Sequence, residues 1–156
     1  MATQLSSARS GKITKEMQYV AQQENVAPDW LMMEIVSGKI IIPANKNHSN
    51  LNPIGIGHGL TTKINANIGA SRVRASIAEE LEKVAYWLKY GADTLMDLST
   101  GGNLDEIRKA IIGKSTIPVG TVPTYQVVEE NNGDIVSIKK EHFLDVIEKQ
   151  AKQGVD

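Results

Sequence analysis

The apolar positions along the chain change their period several times, and each change marks an element. Thr94, Leu95, Met96 and Leu98 form an apolar run of strand length within Asp93–Gly102, which closes on Ser99, Thr100, Gly101 and Gly102, a turn with N–H groups to spare. A helix is expected at once. Asn103 has N-cap chemistry, Glu106 stands three residues on at capping-box spacing, and Ile107, Ala110 and Ile111 start an apolar stripe. Upstream, Ile64, Ala66 and Ile68 alternate with Lys63, Asn65 and Asn67, the period of two of a strand with one polar face. Ser76 and Glu79 make a second capping box, before Ile77, Leu81, Val84, Ala85 and Leu88 at helical spacing up to Gly91. Trp87 and Tyr90, on or beside that helix, are expected to pack.

Downstream, Ile117–Pro123 is a third strand-length segment, Tyr125–Glu130 a short helix and Asn131–Asp134 a turn, while Ile135–Ile138 is ambiguous. Phe143, Val146, Ile147 and Ala151 give the apolar face of a last helix over residues 139–153, stopped by Gly154. Nearer the start, Thr14 caps a first short helix to Glu24, and Pro28 opens a second that ends at Gly38. Ile40–Ile42 and a turn-rich connection to Pro53 follow. The glycines at 55, 57 and 59 suggest a phosphate loop only superficially. Without a strand-loop-helix context, a Gly-rich connection or hairpin is the better reading.

The order is a helical lead-in, residues 1–60, followed by strand-helix repeats over 61–156, which is the alternation of parallel βα units. Gly91-Ala92-Asp93 leaves one helix and opens the central strand, and Gly154-Val155-Asp156 stands at the matching point of the last unit. The expected fold is therefore α/β: a lead-in and the first three βα units of a (β/α)8 barrel, truncated before strand four, since such a barrel takes about 250 residues. An open three-stranded sheet with its own fold competes with it.

Composition narrows the function. With 17 basic and 18 acidic side chains mixed along 156 residues, there is neither a nucleic-acid footprint nor a polybasic membrane patch. No long apolar run is present and Met1–Lys12 lacks the apolar core of a leader, so the expected compartment is the cytoplasm. The absence of cysteine excludes disulfides and any thiolate-ligated zinc or iron–sulfur cluster built from these residues alone.

In parallel α/β architectures the carboxyl ends of the strands carry chemistry. That selects Asn67, the stretch from Met96 to Thr100, Thr121, and Tyr125 just beyond it. Asn67 offers a donor and an acceptor, and Tyr125 an aromatic face with a hydroxyl, which suits a polar heterocycle or ribose. Met96 reads as a core residue whose thioether could equally line a pocket. Ser99, Thr100, Gly101 and Gly102, before a helix N-terminus, are candidates to contact a phosphate, against the plainer reading of a tight turn. Asp93 and Asp97 share a strand face, yet are read as structural: Asp93 capping the strand start and Asp97 bonding among loops. His48, His58 and His142 lack ligand spacing, Arg72 and Arg74 read as surface charges, and no nucleophile stands with a base.

Lys63–Gly69, Ala92–Gly101, Pro118–Pro123 with Tyr125-Gln126, and Glu148–Asp156 closely resemble the ThiC family of phosphomethylpyrimidine synthases. Thr3–Arg9, Ile13–Met17 and Ile41–Asn45 resemble that family's N-terminal region. The resemblance implies a radical S-adenosylmethionine lyase of thiamine biosynthesis that rearranges 5-aminoimidazole ribotide to 4-amino-5-hydroxymethyl-2-methylpyrimidine phosphate, releasing formate and carbon monoxide. It implies that Asn67, Met96 and Tyr125 hold this substrate inside a barrel. It also implies a [4Fe–4S] cluster, S-adenosylmethionine, zinc and a homodimer, with a further substrate-binding histidine, the zinc-binding histidines and the cluster cysteines all expected beyond Asp156. The polypeptide alone is accordingly expected to be inactive and poorly folded, its strand edges and apolar helix faces exposed. Two rivals remain: 5-hydroxybenzimidazole synthase, which uses the same substrate, and a non-catalytic α/β binding or interaction module.

Overall fold

The computed structural model describes residues 3–156 and separates into two compact units, Met1–Ala44 with Pro53–Lys63, and Asn45–Asn52 with Ile64–Asp156. In the first, α1 (Gln4–Arg9), α2 (Lys15–Glu24) and α3 (Pro28–Val36) precede two short strands, β1 (Ile40–Ile41) and β2 (Ile56–Gly57). Thr14 caps α2 by accepting the Met17 N–H, and Pro28 opens α3 as its fixed φ favours. Polar residues gave no sign of α1. A Thr3–Ser6 capping box and the burial of Ala8 build it. Met17, Val20, Leu31, Ile35 and Ile40 form this unit's core. The glycine-rich stretch is an antiparallel pairing of β1 with β2, and a Cβ at Gly57 would fall 2.1 Å from the Lys39 carbonyl oxygen. That glycine permits close strand approach.

The second unit is α/β. Its strands β3 (Asn65–Ile68), β4 (Thr94–Asp97) and β5 (Val119–Thr121) lie side by side in chain order, all parallel. They alternate with α4 (Ile77–Lys89) and α5 (Leu104–Lys114), and α6 (Pro123–Glu130) and α7 (Lys140–Gln153) follow. Among the described residues the sheet does not close. Ala66, Ile68, Leu95 and Val119 point to one face and pack on Val84 of α4 and on Ile107 and Ile111 of α5. Burying a side chain such as Leu95 completely stabilises the fold by about 1.5–3 kcal/mol. The opposite face carries Asn65, Asn67, Thr94, Met96 and Gly120, and both asparagines are exposed.

Each Gly-x-Asp sequence performs the same turn. Gly91 and Gly154 adopt φ of +79° and +107°, which ends α4 and α7. Asp93 then donates its N–H to the Ile64 carbonyl at 2.9 Å while its carboxylate accepts the Ile64 N–H at 2.6 Å. Asp156 does likewise with Val119, at 3.0 Å and 2.9 Å. Asp156 has a further partner in His48, a buried residue of the turn-rich connection: its Nδ1 lies 2.6 Å from the Asp156 carboxylate and its Nε2 2.9 Å from the Ser115 carbonyl.

Some expectations fail for identifiable reasons. Tyr90 is 72% exposed because it caps α4 beyond the packed turn, with the Lys89 ammonium 5.6 Å from its ring centre, whereas Trp87, 39% exposed, packs over most of its surface. Ile64 precedes β3 and is exposed, as are Ile135 and Val136, which form no strand. On α7 the buried pair is Val146 with Gln150, while Ala151 faces solvent.

Candidate functional site

Parallel register sets Asn67 beside Met96 and Met96 beside Gly120, one row across β3, β4 and β5. A strand presents alternate residues to each face, so Asn65 and Thr94, paired one step earlier, share the surface of that row. Asn65 Nδ2 donates to Asn67 Oδ1 at 3.0 Å, and Thr94 Oγ1 donates to Asn65 Oδ1 at 3.0 Å. Tyr125 sits in the first turn of α6, directly after β5, with its side chain partly exposed. Asn67 and Met96 thus share a face near the carboxyl edge from which Tyr125 departs.

Gly120 explains how Met96 lies. A Cβ there would meet Met96 Cε at 3.1 Å and Sδ at 3.3 Å, so the thioether rests over the glycine. Gly120→Ala is expected to swing the Met96 terminus aside, shifting its methyl resonance strongly. Stability should change by under about 1 kcal/mol, because the obstructing atoms end a flexible side chain. An unmoved methyl signal would contradict this placement.

The loop after β4 is less open than its sequence suggests. The Ser99 N–H donates to Asp97 Oδ1 at 3.0 Å, the Thr100 N–H to the Ala70 carbonyl at 2.9 Å, and the Ser99 hydroxyl accepts the Ala70 N–H at 3.0 Å while donating to Asp97 at 2.5 Å. Two amides expected to be free are therefore occupied within the protein. Asp97 is the loop organiser that its position suggested. A Cβ at Gly69 would fall 2.7 Å from the Leu98 carbonyl carbon, and one at Gly101 2.4 Å from the Arg72 nitrogen, so the loops after β3 and β4 touch backbone to backbone. Buried Glu80 accepts the Gly69 N–H at 2.9 Å and fixes the same corner from α4. Arg72 and Arg74, read as surface charges, pair with Glu129 and Glu79.

The sequence reading missed Asn65, Thr94 and Gly120. Alternation already places Asn65 with Asn67 and Thr94 with Met96; only the pairing register brings the two strands together. His58 pairs with Glu34, and His142 Nδ1 accepts the Lys139 N–H at the start of α7.

Residues 3–156 match the model of the radical SAM ThiC family. The chain belongs to that family. Membership places this ThiC-family chain, at family level, in thiamine pyrimidine biosynthesis and radical SAM chemistry, with a small-molecule substrate and with S-adenosylmethionine and an iron–sulfur cluster as cofactors. The residues present do not fit such a cluster. The sequence has no cysteine, and among the described residues no group of three or more His, Asp or Glu could hold a metal ion. No helix among them is long and apolar enough to cross a membrane.

Proposed function

We propose that this chain forms a substrate-holding wall of a phosphomethylpyrimidine synthase, which converts 5-aminoimidazole ribotide to 4-amino-5-hydroxymethyl-2-methylpyrimidine phosphate with release of formate and carbon monoxide. The observation that carries the reading is the row Asn67, Met96 and Gly120 across three parallel strands, with Tyr125 in the turn beyond. Asn67 provides the polar contact, Met96 a soft apolar one, and Tyr125 a ring for the imidazole or ribose with a hydroxyl at its rim. The ribotide phosphate is assigned to the loop after β4, through the exposed Thr100 side chain and the Gly101–Gly102 backbone, the Ser99 groups being engaged by Asp97 and Ala70.

The sheet's unreversed order supports the first three βα units of a (β/α)8 barrel, and the bonding of Asp156 to Val119, alike to that of Asp93 to Ile64, supports a fourth strand in the complete protein. Cluster and zinc ligands belong, on this reading, to segments outside residues 1–156, and the complete enzyme is a cytoplasmic homodimer. Purified residues 1–156 are accordingly expected to give no turnover and no cluster absorption after incubation with iron and sulfide. In the complete protein, Asn67→Ala is expected to weaken 5-aminoimidazole ribotide binding by about tenfold, the value of one hydrogen bond, as titration calorimetry would measure. Unchanged affinity would reject Asn67 as a contact.

A further inference from the structure

We infer that Thr94 and Asn65 fix the direction of the Asn67 carboxamide, so that the site presents an N–H donor and selects a ligand whose facing atom is an acceptor. The inference rests on the proposed reading that Asn67 faces the substrate, and deepens it to a specificity rule. An asparagine amide is nearly symmetric in shape, and half a turn exchanges its oxygen for its nitrogen. Alone on a strand, Asn67 could satisfy either kind of ligand atom.

Here it is not alone. The Thr94 hydroxyl donates to Asn65 Oδ1 at 3.0 Å, and the Nδ2 at the other end of the Asn65 amide is then the donor. That end meets Asn67 Oδ1 at 3.0 Å. The Asn67 oxygen is thereby engaged within the sheet, and its Nδ2 is the end left to the ligand. An unprotonated ring nitrogen or a hydroxyl oxygen would accept from it. A ligand N–H at the same place would oppose donor to donor, with an unmade hydrogen bond on each side. The resulting discrimination is at least about tenfold, the cost of leaving facing hydrogen-bonding groups unpaired. Thr94 and Asn65 are thus positioning residues: they act through Asn67 and need not touch the ligand.

The test uses the complete protein with 5-aminoimidazole ribotide and, separately, the corresponding ribonucleoside, each titrated by calorimetry. Thr94→Val keeps the shape and removes the hydroxyl, Thr94→Ser restores it, and Asn65→Asp can only accept, which turns the Asn67 NH2 inward and its oxygen toward the ligand. Thr94→Val is expected to weaken binding by about threefold to tenfold, Thr94→Ser to recover it, and Asn65→Asp to cost at least about tenfold. The Asp effect should be alike for ribotide and ribonucleoside, because lost donation rather than repulsion of a phosphate causes it. The side-chain NH2 resonances of Asn67 should move in Thr94→Val and Asn65→Asp without ligand, with unchanged thermal unfolding. If Asn67→Ala weakens binding while Thr94→Val and Asn65→Asp bind normally, the relay is overturned and the proposed function stands. If Asn67→Ala binds normally, the proposed contact fails and the relay with it.

Discussion

Asp105→Ala is expected to destabilise the second unit by about 2–3 kcal/mol, because it takes the half-buried carboxylate away from a buried guanidinium that keeps only the Gln126 and Gln153 oxygens as acceptors. Arg108, on the next turn of α5, is only 3% exposed, and its Nη1 bonds Asp105 Oδ1 at 3.1 Å. A guanidinium cannot shed its charge, so the variant buries a cation with no carboxylate beside it. Its Nε already lacks a partner. The same carboxylate accepts from Gln126, Lys149 and Gln153, tying α5 to α6 and α7. Urea denaturation should show the loss, and the double variant Asp105→Ala with Arg108→Met should recover much of it, since an apolar side chain of similar length suits the site better than an orphaned charge. A double variant as unstable as the single one would overturn this account. Burial works to raise the Asp105 pKa, but the hydrogen bonds from Gln153, Lys149 and Gln126 outweigh it and hold the carboxyl well below its ordinary 3.8. A depressed folded value means that this stabilisation is present above about pH 4 and is lost as pH falls through the folded value.

The contrast between Asp105 and Ala66 shows which features a sequence carries. Ala66 and Ile68 are buried, as their alternation with Asn65 and Asn67 implied, because side-chain direction along a strand is a local property. Capping is equally local: Ser76 and Asn103 each accept the N–H three residues on, where their spacing placed them. What stayed illegible depends on partners far along the chain. Arg108, Gln126 and Gln150 lie on three helices and look like surface residues in each stripe, yet they bond one another in the interior. Met96 reads as core until the register sets it on the polar face beside Asn67. The anion loop shows the same limit. Two glycines before a helix cap imply spare amides, but whether the Ser99 and Thr100 amides remain free depends on Asp97 and on Ala70 from another strand.

Asp156→Ala is expected to cost about 3–5 kcal/mol near pH 6 and to abolish the fall in stability above about pH 6.5, because His48 is held in its charged form by the buried acceptor that the substitution removes. Both ring nitrogens of His48 face obligate acceptors, the Asp156 carboxylate and the Ser115 carbonyl, so both must carry hydrogen. Burial works against the imidazolium, yet the bonds to Asp156 and Ser115 prevail and raise the His48 pKa above its ordinary 6.5. A raised folded value contributes stability that is complete below about pH 6.5 and is lost as pH climbs through the folded value. The wild-type protein should therefore weaken from about pH 6.5 upward. Without Asp156 the largest influence left on His48 is burial, which favours the neutral ring, so stability should rise with pH up to about pH 6.5 and stay level above it. The variant also strips the acceptor from the Asn45 N–H at 2.8 Å and the Val119 N–H at 2.9 Å, losing the link between the Asn45–Asn52 segment and β5. Asp93→Ala is the internal control: it removes the same Gly-x-Asp clasp where, among the described residues, no histidine bonds the carboxylate, and should cost about 1 kcal/mol with no change of slope. Denaturant midpoints measured at intervals between about pH 5 and pH 9 decide the matter, since a variant that keeps the wild-type slope would show that Asp156 does not hold the proton on His48.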